Sequence, residues 1–70
     1  MFWWFERGGK SIQCEAREVS KGAYELIVEM PDGTEAIERF SDQAALSARQ
    51  TALDRALKDE GWTGPHGWQL

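Results

Sequence analysis

Three short turn segments divide the first forty residues into four runs, and they constrain the fold more than any other feature. Gly8-Gly9 suits a two-residue primed turn, because both central positions of that turn need positive φ. Ser20-Lys21-Gly22 suits a three-residue hairpin loop, and Pro31-Asp32-Gly33 is a strong turn signal. The sequence therefore predicts strands at residues 2–7, 10–19, 23–30 and 34–40, joined as an antiparallel meander in the order 1-2-3-4.

The predicted turns also determine which residues face each other. Directly opposed residues project to the same side of a sheet, so the first turn pairs Trp3 with Cys14 and the second pairs Cys14 with Val28. Both turns thus assign the same side of the second strand to the core. The residues predicted to line this inner side are Trp3, Phe5, Ile12, Cys14, Ala16, Tyr24, Leu26, Val28, Met30, Ala36 and Phe40.

Residues 42–60 have the pattern of an amphipathic helix that covers this inner side. At 100° per residue, Leu46, Leu53 and Leu57 fall within a narrow arc. We expect Ser41 to cap the first turn, because its hydroxyl can accept a hydrogen bond from a free backbone amide. The chain is thus predicted to form one α+β domain spanning residues 1–70, with the helix on one face of the sheet.

The end of the predicted helix carries the pattern of a Schellman motif. Gly61 can adopt the left-handed conformation that stops the helix, and Trp62 is then placed to contact Leu57. Residues 61–70 contain Gly64-Pro65 and are predicted to form a short tail. Trp68 and Leu70 lie in this tail, and whether they pack on the helix, pack on a sheet edge or fray is open.

Two charged residues interrupt the apolar surfaces. Glu38 takes an inner position on the fourth strand, and Arg49 enters the apolar arc of the helix. We expect a salt bridge between them, and the alternative is that each side chain reaches water separately.

Composition indicates a small acidic protein of the cytoplasm. Twelve acidic residues against eight basic ones give a net charge of −4, which disfavours nucleic acid and anionic membranes as partners. The single cysteine, Cys14, cannot form an intramolecular disulfide and suits a reducing compartment; an intermolecular disulfide or a reactive thiol is the alternative. We find no signal-peptide or transmembrane pattern and therefore expect a cytoplasmic protein.

The sequence gives no indication of catalysis. The only histidine, His66, has no cysteine or second histidine at ligand spacing, so we predict no metal site, no catalytic residues, no cofactor and no small-molecule ligand. Glu15, Glu29 and Glu35 share one face of the predicted sheet, but an open solvated sheet offers nothing to shift their pKa values. We therefore expect a protein that is not an enzyme.

Four apolar residues remain on the sheet face opposite the helix and form our candidate interaction surface. Phe2 and Trp4 lie at one side of this face, and Ile27 and Ile37 lie near the other. A domain of 70 residues buries only about 60% of its unfolded surface, and oligomerisation is a common remedy. We expect a non-catalytic module that forms a homodimer or binds another protein through this face or through the edge strand at residues 2–7. The alternative is that these residues pack against the tail or one another.

The order of four strands followed by a helix resembles that of the single-strand-binding transcriptional coactivator and whirly proteins. This resemblance implies a second function, in which exposed aromatic residues stack the bases of single-stranded nucleic acid. The predicted face carries four carboxylates against two cations, which disfavours that function.

Overall fold

The computed structural model describes residues 1–67 and has an α+β fold. A four-stranded antiparallel meander is followed by a helix and a short fifth strand, and the sheet order is β4-β3-β2-β1-β5. The elements are β1 (Phe2–Arg7), β2 (Lys10–Ser20), β3 (Ala23–Glu29), β4 (Glu35–Phe40), α1 (Gln43–Asp59) and β5 (Thr63–His66). The predicted class, meander order and C-terminal helix are confirmed, whereas the fifth strand was not predicted.

The predicted strand registers are confirmed by the pairing of the inner residues. Gly8 and Gly9 have φ of 55° and 81°, as the primed turn requires, and Trp3 pairs with Cys14. Cys14 pairs in turn with Val28, and Val28 with Ala36. These residues therefore form one row across the inner face.

The second turn differs from its prediction without changing the register. Ser20 pairs with Ala23, so only Lys21 and Gly22 lie outside the ladder. The pairing shifts between Glu18 and Ser20, where a bulge takes up one residue. A two-residue turn with a bulge and the predicted three-residue loop give the same pairing for the rest of the two strands.

The predictions for the two ends of α1 have different outcomes. The N-cap is Asp42, whose carboxylate accepts a hydrogen bond from the Ala45 amide at 2.7 Å, and the prediction of Ser41 was wrong by one residue. At the other end Gly61 has φ of 93°, and the Trp62 amide donates to the Leu57 carbonyl at 3.0 Å. The predicted Schellman ending is therefore confirmed.

The helix leaves one corner of the inner face uncovered. It contacts β3, β4 and β5. Met30 and Ala36, both predicted core residues, are exposed, so the helix does not cover the end of the inner face next to the turn between β3 and β4. The buried apolar residues are Trp3, Phe5, Ile12, Cys14, Ala16, Leu26, Val28, Leu46 and Leu57.

Part of the predicted tail forms β5 against the free side of β1. Thr63 pairs with Glu6 and His66 with Trp4, and the Thr63 hydroxyl donates to the Glu6 carbonyl at 3.1 Å. Gly64 permits this approach, because a Cβ there would lie 2.9 Å from the Phe5 ring. The predictions for Trp68 and Leu70 fall outside the described residues.

The predicted ion pair between strand and helix is present. Arg49 Nε donates to both carboxylate oxygens of Glu38, at 2.9 and 3.1 Å. This hydrogen bonding raises the pKa of Arg49. The side chains are 39% and 36% exposed, so the pair contributes at most about 1 kcal/mol to stability.

Candidate interaction surface

The outer face, which is the sheet face opposite α1, is organised in cross-strand rows. Its middle row runs from Phe2 through Glu15 and Ile27 to Ile37, because each of these residues pairs with the next. Ile27 and Ile37 are therefore direct neighbours. Glu15 separates them from Phe2, so the four predicted surface residues lie in two places.

Trp4 is partly covered by the chain that follows α1. Its ring lies against Gly67, where a side chain would collide with it, and its centroid is 6.0 Å from that of His66. The indole nitrogen donates to Glu6 Oε2 at 2.9 Å. Phe2 lies beside Trp4, with ring centroids 6.1 Å apart, and is 45% exposed. Of the two aromatic residues, Phe2 therefore presents the freer surface.

Ile27 and Ile37 form the second apolar patch, next to the β4 edge. Ile37 is 53% exposed, and Ile27 is half-buried beside it. Both are β-branched residues in a non-terminal part of their strands, so the first torsion of each side chain is restricted.

A row of three charged residues borders this patch on one side. Glu25 pairs with Arg17 on β2 and with Arg39 on β4. Arg39 Nε donates to Glu25 at 3.0 Å, and an Arg17 nitrogen lies 3.5 Å from the same carboxylate. Glu25 is only 9% exposed because the two arginines cover it. No local signal in the sequence indicates this burial of Glu25.

A row of opposite charge borders the patch on its other side. Gln13 pairs with Glu29, and Glu29 pairs with Glu35. The patch of Ile27 and Ile37 thus lies between two solvent-exposed arginines and two carboxylates. The outer face is polarised along the strand direction.

The sheet edges differ from the predicted ones. Residues 2–7 were expected to form an edge strand, but β5 pairs with β1 at Trp4 and Glu6. The opposite edge is β4, and within residues 1–67 no strand pairs with its outer side. The row of backbone groups available for a further strand therefore belongs to β4.

Cys14 does not have the properties of a reactive thiol. Its side chain is 1% exposed on the central strand β2. Burial, and secondarily the charge of Asp54, raises the pKa of Cys14 to about 12. Because the thiolate is the nucleophilic form, the folded chain presents a protonated and inaccessible sulfur at neutral pH.

An open recess of about 860 Å³ lies at the turn end of the inner face. Its lining includes the charged residues Arg7, Lys10 and Asp32 and the apolar residues Met30 and Trp62. The ionisable residues of this recess are exposed, so water screens them from one another. Within residues 1–67 no group of three or more histidine, cysteine, aspartate or glutamate residues could hold a metal ion.

Comparison with known proteins identifies no relative of this chain. No helix in the described part of the chain is long and apolar enough to cross a membrane. Searches with this chain against protein-family models, curated proteins and solved structures find no match.

Proposed function

We propose that this chain is a non-catalytic protein-interaction module that self-associates or binds another protein through the outer face and the adjoining β4 edge. The observation that carries the proposal is the exposure of Ile37, 53%, beside Ile27 on a sheet whose inner face is covered by a helix. Association would remove this apolar surface from water. Fully burying an isoleucine side chain is worth about 1.5–3 kcal/mol.

The charges around the patch support a protein partner. Arginines lie on one side of Ile27 and Ile37 and carboxylates on the other, so a partner with a matching arrangement gains both burial and charge pairing. A nucleic acid would meet the carboxylates Glu29 and Glu35 on the same face. Trp4, the largest aromatic residue on this face, already has Gly67 against its ring.

The chemistry of the remaining side chains supports a non-catalytic role. The Cys14 thiol is buried with a pKa of about 12, and the recess at the turn end is lined by solvated charges. Catalytic groups usually have pKa values shifted toward the working pH by burial or by close partners.

Sedimentation velocity over low to high micromolar concentrations tests this proposal. We expect the sedimentation coefficient of the wild type to rise with concentration and that of Ile37→Ser to stay at the monomer value. Met30→Ser is the matched control, because Met30 is also an exposed apolar residue, 41% exposed, but lies on the inner face. This control should behave as the wild type does.

A second arm covers the case in which the partner is another protein. Wild type, Ile37→Ser and Met30→Ser serve as baits in a host lysate, and a partner of the outer face should be retained by the first and third only. A wild type that stays monomeric and retains no protein in an Ile37-dependent manner contradicts the proposal. Titration with fluorescent single-stranded oligonucleotides at low salt should give no binding, and tight binding there would favour the nucleic-acid function instead.

A further inference from the structure

We infer that the β4 edge pairs with the β4 edge of a second copy of this chain, in antiparallel orientation about a two-fold axis at Ile37. The inference rests on the proposed function and specifies the partner and the geometry. Pairing the two edges would join two five-stranded sheets into one continuous sheet, with both helices on the same side.

The backbone of β4 determines which residues can form the new ladder. The Met30 amide donates to the Thr34 carbonyl at 2.8 Å, and hydrogen-bonded pairs alternate along an antiparallel ladder. Ala36 and Glu38 therefore direct their backbone groups toward β3. Glu35, Ile37 and Arg39 direct theirs away from β3, toward the free edge.

A register centred on Ile37 uses all three outward residues. Ile37 then faces Ile37 of the second copy, and Glu35 faces Arg39 of the second copy on either side of the axis. Each outward residue donates and accepts, which gives about six main-chain hydrogen bonds. Opposite charges stand directly across from each other in both flanking pairs.

The neighbouring two-fold registers lack this charge match. Centring on Glu35, Glu38 or Arg39 would place two like charges directly opposite each other, which is destabilising. Centring on Ala36 would pair Glu35 with Ile37 and leave Arg39 without a carboxylate opposite. The charge pattern of β4 therefore selects the register centred on Ile37.

The side chains on both faces fit this register. On the outer face, the patch of Ile27 and Ile37 would continue into the same patch of the second copy. The Arg39 side chain is 80% exposed although its Nε binds Glu25, so its terminal nitrogens can reach Glu35 of the second copy. On the inner face Glu38 would face the small Ala36, and its charge is already paired with Arg49.

Cysteine cross-linking distinguishes this geometry from face-to-face packing. In the proposed ladder two Ile37→Cys residues form a hydrogen-bonded pair with Cα atoms about 5.5 Å apart, which is within disulfide range. Two Ile27→Cys residues would be three strand spacings apart, about 14 Å, and could not be joined. Ile27→Cys is therefore the matched control, since both positions lie in the same row of the outer face. Native Cys14 is retained because it is buried.

We expect Ile37→Cys to form a covalent dimer with oxidised glutathione on a non-reducing gel and Ile27→Cys to remain monomeric. Mixing Glu35→Cys with Arg39→Cys should give a covalent heterodimer, which neither variant forms alone as a homodimer. Reversing one charge, in Glu35→Arg, should weaken the wild-type self-association about tenfold, whereas Glu15→Arg on β2 should leave it nearly unchanged.

The outcomes separate this inference from the proposed function. A wild type that self-associates but is cross-linked at Ile27→Cys and not at Ile37→Cys overturns edge pairing and retains the interaction function. A wild type that stays monomeric but binds another protein through Ile37 also overturns only the edge pairing. A monomer without any Ile37-dependent partner overturns both.

Discussion

The sheet is finished differently at its two edges. On the β1 side the chain returns after α1 and adds β5 as a covering strand. On the β4 side no strand follows within residues 1–67, and the edge carries Glu35, Arg39 and the inward-pointing Glu38 instead. Charged edge residues discourage unspecific strand pairing. The β1 edge is thus closed, because β5 pairs with its backbone. The β4 edge is open, and its charges limit which strands can pair with it.

The closed edge depends on residues without side chains. Gly64 passes close to Phe5 and to the backbone of Trp4, and Gly67 lies against the Trp4 ring. β4 contains no glycine, and each of its residues carries a side chain. The two edges should therefore respond very differently to small substitutions.

The largest effect is expected for Gly64→Ala at the closed edge. Gly64 has φ of 139°, and an added Cβ would lie 2.9 Å from both the Phe5 ring and the Trp4 carbonyl oxygen. Backbone strain and overpacking together should lower the free energy of unfolding by about 3 kcal/mol. Gly33→Ala, with φ of 89° and open space around it, should lose only about 1 kcal/mol. Urea unfolding measures both, and equal losses would show that β5 does not pack closely on β1.

The next effect concerns Cys14, which lies on the strand between the two edges. Its pKa is raised from the ordinary value of 9.0 to about 12, so the folded chain holds this proton more strongly than the unfolded chain. The resulting stability is present below pH 9 and is lost as the pH rises from 9 toward 12. The free energy of unfolding of wild type minus that of Cys14→Ala should fall by about 1 kcal/mol for each pH unit in this range. If this difference in the free energy of unfolding does not change with pH, the Cys14 thiol is already hydrated in the folded chain through opening of a sheet edge.

A smaller effect is expected where the open-edge strand passes into the helix. Asp42→Ala removes the carboxylate that accepts the Ala45 amide and should cost about 1 kcal/mol. Ser41→Ala should change the stability by less than about 0.5 kcal/mol, since Asp42 is the N-cap. Thermal or urea unfolding measures the stability loss of each variant. A larger loss for Ser41→Ala than for Asp42→Ala would show that Ser41 is the N-cap, as the sequence predicted.

The smallest effect on stability is expected for Glu38→Gln at the open edge. It weakens the half-exposed pair with Arg49 and should cost about 0.5 kcal/mol. Because an inward-pointing charge guards the edge, the same variant should associate more readily and with less register specificity. Light scattering should show larger species for Glu38→Gln than for Glu15→Gln, which removes a charge from β2. Identical scattering from the two variants would mean that Glu38 does not protect this edge.

Much of the meander could be predicted because its signals are local. Gly8-Gly9 and the alternating apolar residues fixed the first two registers, and Gly61 marked the end of the helix. The pair of Glu38 and Arg49 was found because each residue breaks an otherwise apolar surface. Each inference needed only residues close in sequence or related by a short turn.

Three of the features that were missed, namely β5, the exposure of Met30 and the cover over Trp4, depend on contacts distant in sequence. β5 has four residues, includes Pro65 and has no alternation, so only its proximity to β1 makes it a strand. Met30 was predicted to be a core residue, but it is 41% exposed because the helix does not cover it. For the candidate surface, the register brought Ile27 and Ile37 together, whereas the approach of Gly67 to Trp4 had no local signal.

The pairing of β1 with β5 has a consequence for how the chain folds during synthesis. The Thr63 hydroxyl and the Glu6 carbonyl are 57 residues apart, whereas each pairing within the meander closes a short turn. Short loops close with less entropic cost, so the three hairpins should form before β5 docks. On a ribosome, β5 emerges after every other described element. Until then the β1 edge stays open to neighbouring nascent chains.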